Sequence, residues 1–419
     1  MKTRLYNARI LTMADSFNVI ENGEIGIEDG RILYVGEGDG NSTVWDEEID
    51  IKGNLLMPGF KDAHTHSGMT CLRSMADDLP LDRWLKEQIF PREAKLSGED
   101  IYECTRLAIL EYLSSGITAV FDMYLTPYTV ADAMEDCGMR CVQVGATTDL
   151  AKQEEYFNKL NNRSPLTGYM FGYHAEYTFS EDILKELSLL SHKYKSPVFG
   201  HNSETASEVE GCIERHGCTP TEFADSLGLF DFGGGGYHCV YLSENDKRIF
   251  KDRGIWAVLN PGSNVKLASG IADTQSLLDC GIKLAIGTDG PASNNCLDMF
   301  REMFLVTGLS KLKNSDASSV DALKVLYMAT AGGAGAMGLN DCDVLAPGKR
   351  ADIIEIDLQS PNMQPFNNIP KNIVYSGSKS NIKMTMINGV IRYRDGVYHV
   401  GEDPSFIYDR VQKIAERIR

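Results

Sequence analysis

Between residues 55 and 286 the chain repeats one pattern, a short apolar run of β-type residues followed by a longer segment with helical spacing. The runs fall at 55–62, 117–122, 140–144, 169–174, 198–201, 237–240, 255–259 and 284–286. The intervening segments resemble Ile101–Leu113, where Leu107, Leu110 and Leu113 recur at i, i+3 and i+6 and Gly116 offers a helix stop. Strands alternating with helices in this way specify an α/β chain and a TIM-like (β/α)8 barrel, usually about 250 residues long.

The flanks do not fit inside such a barrel. Residues 1–55 read as short β segments broken by turn signals at Asn22-Gly23 and Asp29-Gly30. Residues 346–400 read the same way, through 353–356, 373–375, 383–387 and 390–393, with a turn at Asn388-Gly389. We therefore expect a small composite β-sandwich domain built from both chain ends, with the barrel (56–345) inserted between them. Residues 401–419 close the chain as an amphipathic helix with Ile407, Val411, Ile414 and Ile418 on one stripe, suited to packing on the body.

Four of the runs carry metal-ligating residue types at or just past their ends. His64 and His66 lie two apart after the Pro58-Gly59 break, and strand periodicity aims both imidazoles to one side. His201 ends Pro197-Val-Phe-Gly-His201, His238 follows Gly236-Tyr, and Asp289 follows Leu284-Ala-Ile-Gly-Thr. Strand ends of a parallel barrel converge on one catalytic face, so residues from separate runs can meet there.

Composition narrows the partners. With 41 basic and 59 acidic side chains the net charge is −18, which argues against a nucleic-acid backbone as ligand. The N-terminus lacks an apolar signal core, and no run is long enough to span a bilayer, so a cytoplasmic protein without membrane association is expected. Ten cysteines are scattered with no Cys-x-x-Cys pair, consistent with reduced thiols.

Five motifs, in order, carry a resemblance. They are Pro58-Gly-Phe-Lys-Asp-Ala-His-Thr-His66, His201-Asn-Ser-Glu204-Thr, His238-Cys-Val-Tyr-Leu-Ser-Glu244, the segment from Asn260-Pro-Gly-Ser-Asn264 to Ile271, and Gly287-Thr-Asp289-Gly-Pro-Ala-Ser-Asn-Asn295. Together they resemble the amidohydrolase superfamily, and within it the S-adenosylhomocysteine/5′-methylthioadenosine deaminases and their chlorohydrolase relatives. The other zinc deaminase class holds its metal with a Pro-Cys-x-x-Cys pair that this chain lacks. The resemblance implies one divalent metal ion per subunit, held by His64, His66, His201 and Asp289 with a position left for water. Zinc suits three nitrogens and one oxygen, and iron or manganese accept similar ligands. Binuclear relatives need a lysine or glutamate near the fourth barrel strand, and Gly168–His174 has neither.

The resemblance also implies roles. Asp289 takes a proton from water and returns it to the leaving amine, Glu204 protonates a ring nitrogen, and His238 holds the nucleophile and stabilises the developing oxyanion. Substrate contacts fall to Glu204 and Asp289 and to four further residues, three of them with a plainer alternative. His174 meets the purine or is a core histidine. Glu93 accepts from the ribose hydroxyls or is a helix-surface carboxylate. Trp84 walls the pocket or packs. Arg140 aligns with an arginine that holds substrate in some relatives. Leu259 stands where many relatives have His or Cys, so a polar contact behind the site is expected to be missing. The segment after Arg140 is short of arginines, which makes a neutral 5′ substituent as plausible as a homocysteine tail.

The implied activity is metal-dependent hydrolytic deamination, C–N cleavage at a cyclic amidine, of 5′-methylthioadenosine, S-adenosylhomocysteine, 5′-deoxyadenosine or adenosine. An aminohydrolase or chlorohydrolase acting on a free base or other N-heterocycle, such as guanine, a pterin or a triazine, is the second reading. A non-catalytic metal-dependent binding protein is the third. Family members often assemble, leaving a homo-oligomer open. Among residues that invite over-reading, Gly233–Gly236 lacks a following lysine-serine pair and reads as a turn before the sixth strand.

Overall fold

The computed structural model describes residues 1–14, 17–38 and 44–419. Eight strands, β6 (Phe60–Thr65), β7 (Ile117–Asp122), β8 (Arg140–Val144), β9 (Thr167–Ala175), β10 (Val198–Asn202), β11 (Gly234–His238), β12 (Trp256–Leu259) and β13 (Lys283–Ile286), run parallel in sequence order. Bonds just past β13 draw the two edges of this sheet together. The Asp289 N–H donates to His64 O at 2.8 Å, while the Thr288 N–H and hydroxyl donate to the Asp62 carboxylate at 2.8 and 2.6 Å. The near-closed barrel is packed solid below its open end by Phe121, Phe199 and Tyr237, their rings 4.8–6.1 Å apart. His64 stacks on Tyr237 at 3.8 Å, so the first histidine rests on this aromatic floor.

The second sheet comes from both chain ends. It orders as β17 (Val397–Tyr398), β16 (Val390–Arg394), β15 (Ile382–Ile387), β14 (Ile353–Ile356), β5 (Leu55–Pro58), β1 (Lys2–Leu11), β2 (Val19–Glu28) and β3 (Arg31–Glu37), with β4 (Glu47–Asp50) also on β1. Its residues Leu5, Ile25, Leu56, Ile353 and Met386 share one apolar cluster. The expected domain at the ends also takes in 15–16 and 39–43, which lie outside the described residues.

Several local expectations need correction. The single run at 55–62 is two strands in different sheets, because the chain turns at Gly59, where a Cβ would come within 2.1 Å of Thr118. Asn22-Gly23 does not turn; it continues β2 opposite Ala8, where the register slips. Asp29-Gly30 and Asn388-Gly389 do turn. Residues 373–375 belong to a helix, Ile369–Tyr375, because Asn368 caps it by accepting from the Lys371 N–H and Pro370 sits in its first turn. Gly234–Gly236 is strand rather than turn: a Cβ on Gly234 would lie 1.9 Å from Val198 O, so glycine allows β10 and β11 to approach.

The helix Gly98–Ser114 starts on a Ser97/Asp100 capping box, each side chain serving the other's backbone N–H. The closing helix Pro404–Ile418 buries Ile407, Val411, Ile414 and Ile418 and reaches that start through an Arg417–Asp100 ion pair at 2.5 Å. Among the described residues no helix is long and apolar enough to cross a membrane.

Candidate active site

The strand ends bring His64, His66, His201, His238 and Asp289 into one cluster, all buried but the half-buried His66. One nitrogen from each of His64, His66 and His201 lies within 4.8 Å of the others, and His64, His238 and Asp289 meet the same limit. Asp289 Oδ1 is 3.2 Å from His66 Nε2 and 3.6 Å from His64 Nε2. A register slip between Asp62 and Thr65 lets β6 re-aim its histidines into the barrel mouth.

Each ring is held from behind. His66 Nδ1 lies 2.5 Å from Met123 O and His201 Nδ1 lies 2.6 Å from His174 O, so in both the Nδ1–H donates to a carbonyl and Nε2 faces the cluster. His238 Nδ1 donates to Asn264 Oδ1 at 2.8 Å, and its positive φ of 69° turns the ring toward the site although Tyr237, its neighbour, also points into the barrel. Both His64 nitrogens are buried without a hydrogen-bond partner. Asp289 likewise has a positive φ, 59°; its Oδ1 accepts from the Gly290 N–H and its Oδ2 from Ser293 Oγ, both at 2.7 Å.

The electrostatics suit a cation. Burial drives His64 and His201 well below the usual histidine range, so both are neutral. Burial opposes ionisation of Asp289, but hydrogen bonding and charge from His66 outweigh it and hold the carboxyl well below its ordinary value. Neutral nitrogens on His64 and His201 beside an ionised Asp289, with two orphaned nitrogens on His64, are donor states that a divalent metal requires, whereas His66, lowered by burial but raised to about 9 by Asp289, would give up its Nε2 proton on binding one. These residues fit the expected ion. On β9 no lysine or glutamate faces the cluster; Glu176, just beyond it, is ion-paired to Arg215 and His216.

Glu204 stands beside His238, its Oε2 3.8 Å from His238 Nε2, and Ser269 Oγ donates to its Oε1 at 3.1 Å. Burial raises its pKa, which favours the protonated acid. The loop that carries it is fixed by Glu208, whose carboxylate accepts from the N–H groups of Ser203 and Glu204 at 3.1 and 2.7 Å. An open-mouthed cavity of about 120 Å³ faces the cluster, and Glu204, His174, Glu93 and Trp84 all line it. Glu93 and Trp84 belong to one helical stretch, 81–93, whose Leu81, Leu85, Ile89 and Phe90 complete that wall. Burial raises the Glu93 pKa and the adjacent Tyr124 hydroxyl partly offsets this. Burial lowers His174 to about 4, so it is neutral at physiological pH.

Arg140 is the exception among the expected contacts. It opens β8 instead of ending it, which puts it at the N-terminal end of the barrel, away from the cluster. There it makes a bidentate pair with Asp352 at 2.9 and 3.0 Å and donates to Pro165 O at 2.7 Å. It ties the barrel to the sheet of the chain ends and is no substrate contact. Leu259 lies behind the site, in the wall of a small separate cavity with Asn260 and Asn264. Sequence reasoning missed Asn264, Ser269, Ser293 and Glu208 as supports. The first three lay inside the quoted motifs; Glu208, four residues after Glu204, had only that spacing as a signal.

A parallel barrel that gathers neutral imidazoles and an ionised aspartate at the C-terminal ends of its strands defines a metal-dependent hydrolase. Residues 55–392 match the amidohydrolase family, and the chain belongs to it. It is 39% identical over 420 residues to a 5-methylthioadenosine/S-adenosylhomocysteine deaminase of Desulforamulus reducens, covering 97% of each chain. It is 38% identical to a 5′-deoxyadenosine deaminase of Methanothermobacter thermautotrophicus, covering 92% of each. The crystal structure of a zinc-bound adenosine deaminase from Xanthomonas campestris superposes with a TM-score of 0.94 at 30% identity, over 100% of this chain and 98% of that one.

Proposed function

We propose that the chain hydrolytically deaminates an adenosine-type nucleoside, releasing ammonia and the inosine analogue. The observation that carries this reading is an acid and a base facing one cavity: Glu204, whose carboxyl burial shifts toward the protonated form, and Asp289, kept ionised by its histidine neighbours. Displacing an amine from a purine needs both, one on the ring nitrogen and one on the water. The deaminase names of the relatives agree with it.

His64, His66, His201 and Asp289 would hold the ion, with His238 close enough to touch its ligands. Zinc suits this donor set and is the metal in the Xanthomonas structure. When bound, such an ion supplies Lewis acidity that makes water a nucleophile near neutral pH. Asp289 Oδ2 accepts the proton of the attacking water and passes it to the departing amine. Glu204 delivers its proton to the ring nitrogen beside the attacked carbon, and Ser269 steadies the carboxylate left behind until the water's second proton, lost as the carbonyl forms, restores the acid. His238, its tautomer set by Asn264, turns Nε2 toward the nucleophile and the oxygen on which charge develops. Glu93, in the far wall, accepts from the ribose hydroxyls, and His174 and Trp84 border the ring and sugar.

The test is ammonia release by zinc-loaded protein from adenosine, 5′-methylthioadenosine, guanine and a pterin. Turnover of nucleosides supports the reading; turnover of free bases alone refutes it.

A further inference from the structure

One relative is named for both an uncharged and a charged 5′ substituent and the other for an uncharged one only, at 39% and 38% identity, so similarity does not decide whether a charged tail is accepted. The cavity does carry an answer. Beyond Tyr124, Leu125, Ala146 and His174, which it shares with the catalytic pocket, lies a side chamber of about 310 Å³. Tyr124 is the neighbour of Glu93, so the chamber begins where the sugar hydroxyls would be held. Its remaining lining comes chiefly from the segments after β8 and β9 and includes Thr147, Tyr156, Tyr169 and Phe179. No lysine, arginine, aspartate or glutamate is among the described residues that line it. The Tyr156 and Tyr169 rings lie 5.8 Å apart, and the Tyr169 hydroxyl, on a side chain 2% exposed, is buried without a hydrogen-bond partner.

We infer that this chamber receives the 5′ substituent of the nucleoside and selects a small uncharged one, a methylthio or methyl group, over the ammonium and carboxylate of a homocysteine tail. The inference rests on the nucleoside deaminase reading. A zwitterionic tail entering the chamber exchanges water for rings and methyl groups that offer no opposite charge, and an unpaired charge is strongly rejected from such surroundings. A thioether is favoured against aromatic rings, and the spare Tyr169 hydroxyl offers a neutral polar contact.

A second chamber does carry charge, in Lys86, Glu208 and Arg215, but it meets the catalytic pocket through Leu81, Leu85, Phe90 and Tyr177, not through Tyr124 or His174. Its Arg215 is paired with Glu176, and its Glu208 carboxylate is engaged by the Ser203 and Glu204 N–H groups.

The experiment compares kcat/KM for adenosine, 5′-deoxyadenosine, 5′-methylthioadenosine and S-adenosylhomocysteine on zinc-loaded protein. The two nucleosides with small 5′ groups are expected to exceed S-adenosylhomocysteine by about 100-fold or more. Thr148→Arg, which sets a guanidinium at the exposed rim of the chamber, should raise the S-adenosylhomocysteine to methylthioadenosine ratio by about tenfold. Equal use of the two substrates by the unmodified protein, within a few-fold, overturns the inference while leaving nucleoside deamination intact. Efficient S-adenosylhomocysteine turnover that Arg215→Ala removes overturns it too, by placing the tail in the charged chamber. Failure to turn over any nucleoside, adenosine included, overturns the parent reading and this inference with it.

Discussion

The two walls of the catalytic cavity are built on different principles. The wall that does chemistry is made of strand ends, and its rings are fixed from behind: His66 by Met123 O, His201 by His174 O and His238 by Asn264. The facing wall is the helical stretch 81–93, which presents apolar side chains around the Glu93 carboxylate and a Trp84 indole N–H that has no hydrogen-bond partner. Fixed donors serve a reaction whose geometry does not change between substrates. A wall of side chains on one helical segment can vary what fits without disturbing them.

If that contrast holds, substitutions should fall off in effect from the first wall to the second. His201→Ala or Asp289→Asn should lower kcat by about 10⁴-fold or more and reduce zinc content, since each removes a ligand whose loss a barrel end cannot replace. Chelation of the metal should do the same, and zinc should restore it; activity that survives chelation breaks the account. Glu204→Gln should lower kcat by about 10²–10⁴-fold with little change in KM, the range for losing a general acid. Burial raises the Glu204 pKa, so the acid form persists above the usual glutamate range and kcat/KM should fall as pH rises through that raised value. A pH profile for Glu204→Gln that keeps this limb would assign it to another group. Glu93→Ala should cost about 10–100-fold in kcat/KM for nucleosides while leaving any turnover of free base nearly intact.

The smallest effect on catalysis should come from the opposite end of the barrel. Arg140→Met strands the buried Asp352 carboxylate and should destabilise the fold by about 3–5 kcal/mol at neutral pH, with KM unchanged in the folded fraction. Burial opposes ionisation of Asp352, yet Arg140 holds its pKa below the ordinary 3.8. The pair therefore stabilises the fold above that value and loses its effect as pH falls through the lowered one. In the variant only the Lys61 charge and the Asn388 N–H still oppose the effect of burial, so its stability deficit should shrink as the pH is lowered, which thermal melts at several pH values would measure.

The chemical wall was largely legible in the sequence because its residues follow apolar runs in short motifs, and strand direction then places them at one end. Direction was also the signal overlooked for Arg140, which begins its run and so must lie at the far end of the barrel. The split at Gly59 was hidden because two apolar strands in different sheets read as one run when no polar residue separates them. The helix at Ile369–Tyr375 was hidden because its β-branched residues outweigh, by propensity alone, the Asn368 cap and Pro370 that decide it. The pairing of Ser269 with Glu204 and of Asn264 with His238 could not be read, although both supports lay inside the motifs, since each comes from the segment after β12 and meets its partner only once the strands assemble. The specificity wall was legible only as isolated residues, because the side chambers exist only after the loops following β8 and β9 fold over the same cavity.

The most direct test of the central claim is ammonia release from adenosine by zinc-loaded protein and by Glu204→Gln matched for zinc content. The account predicts turnover by the first and a loss of about 10²-fold or more in the second, with the metal retained. Equal rates from the two proteins would contradict it.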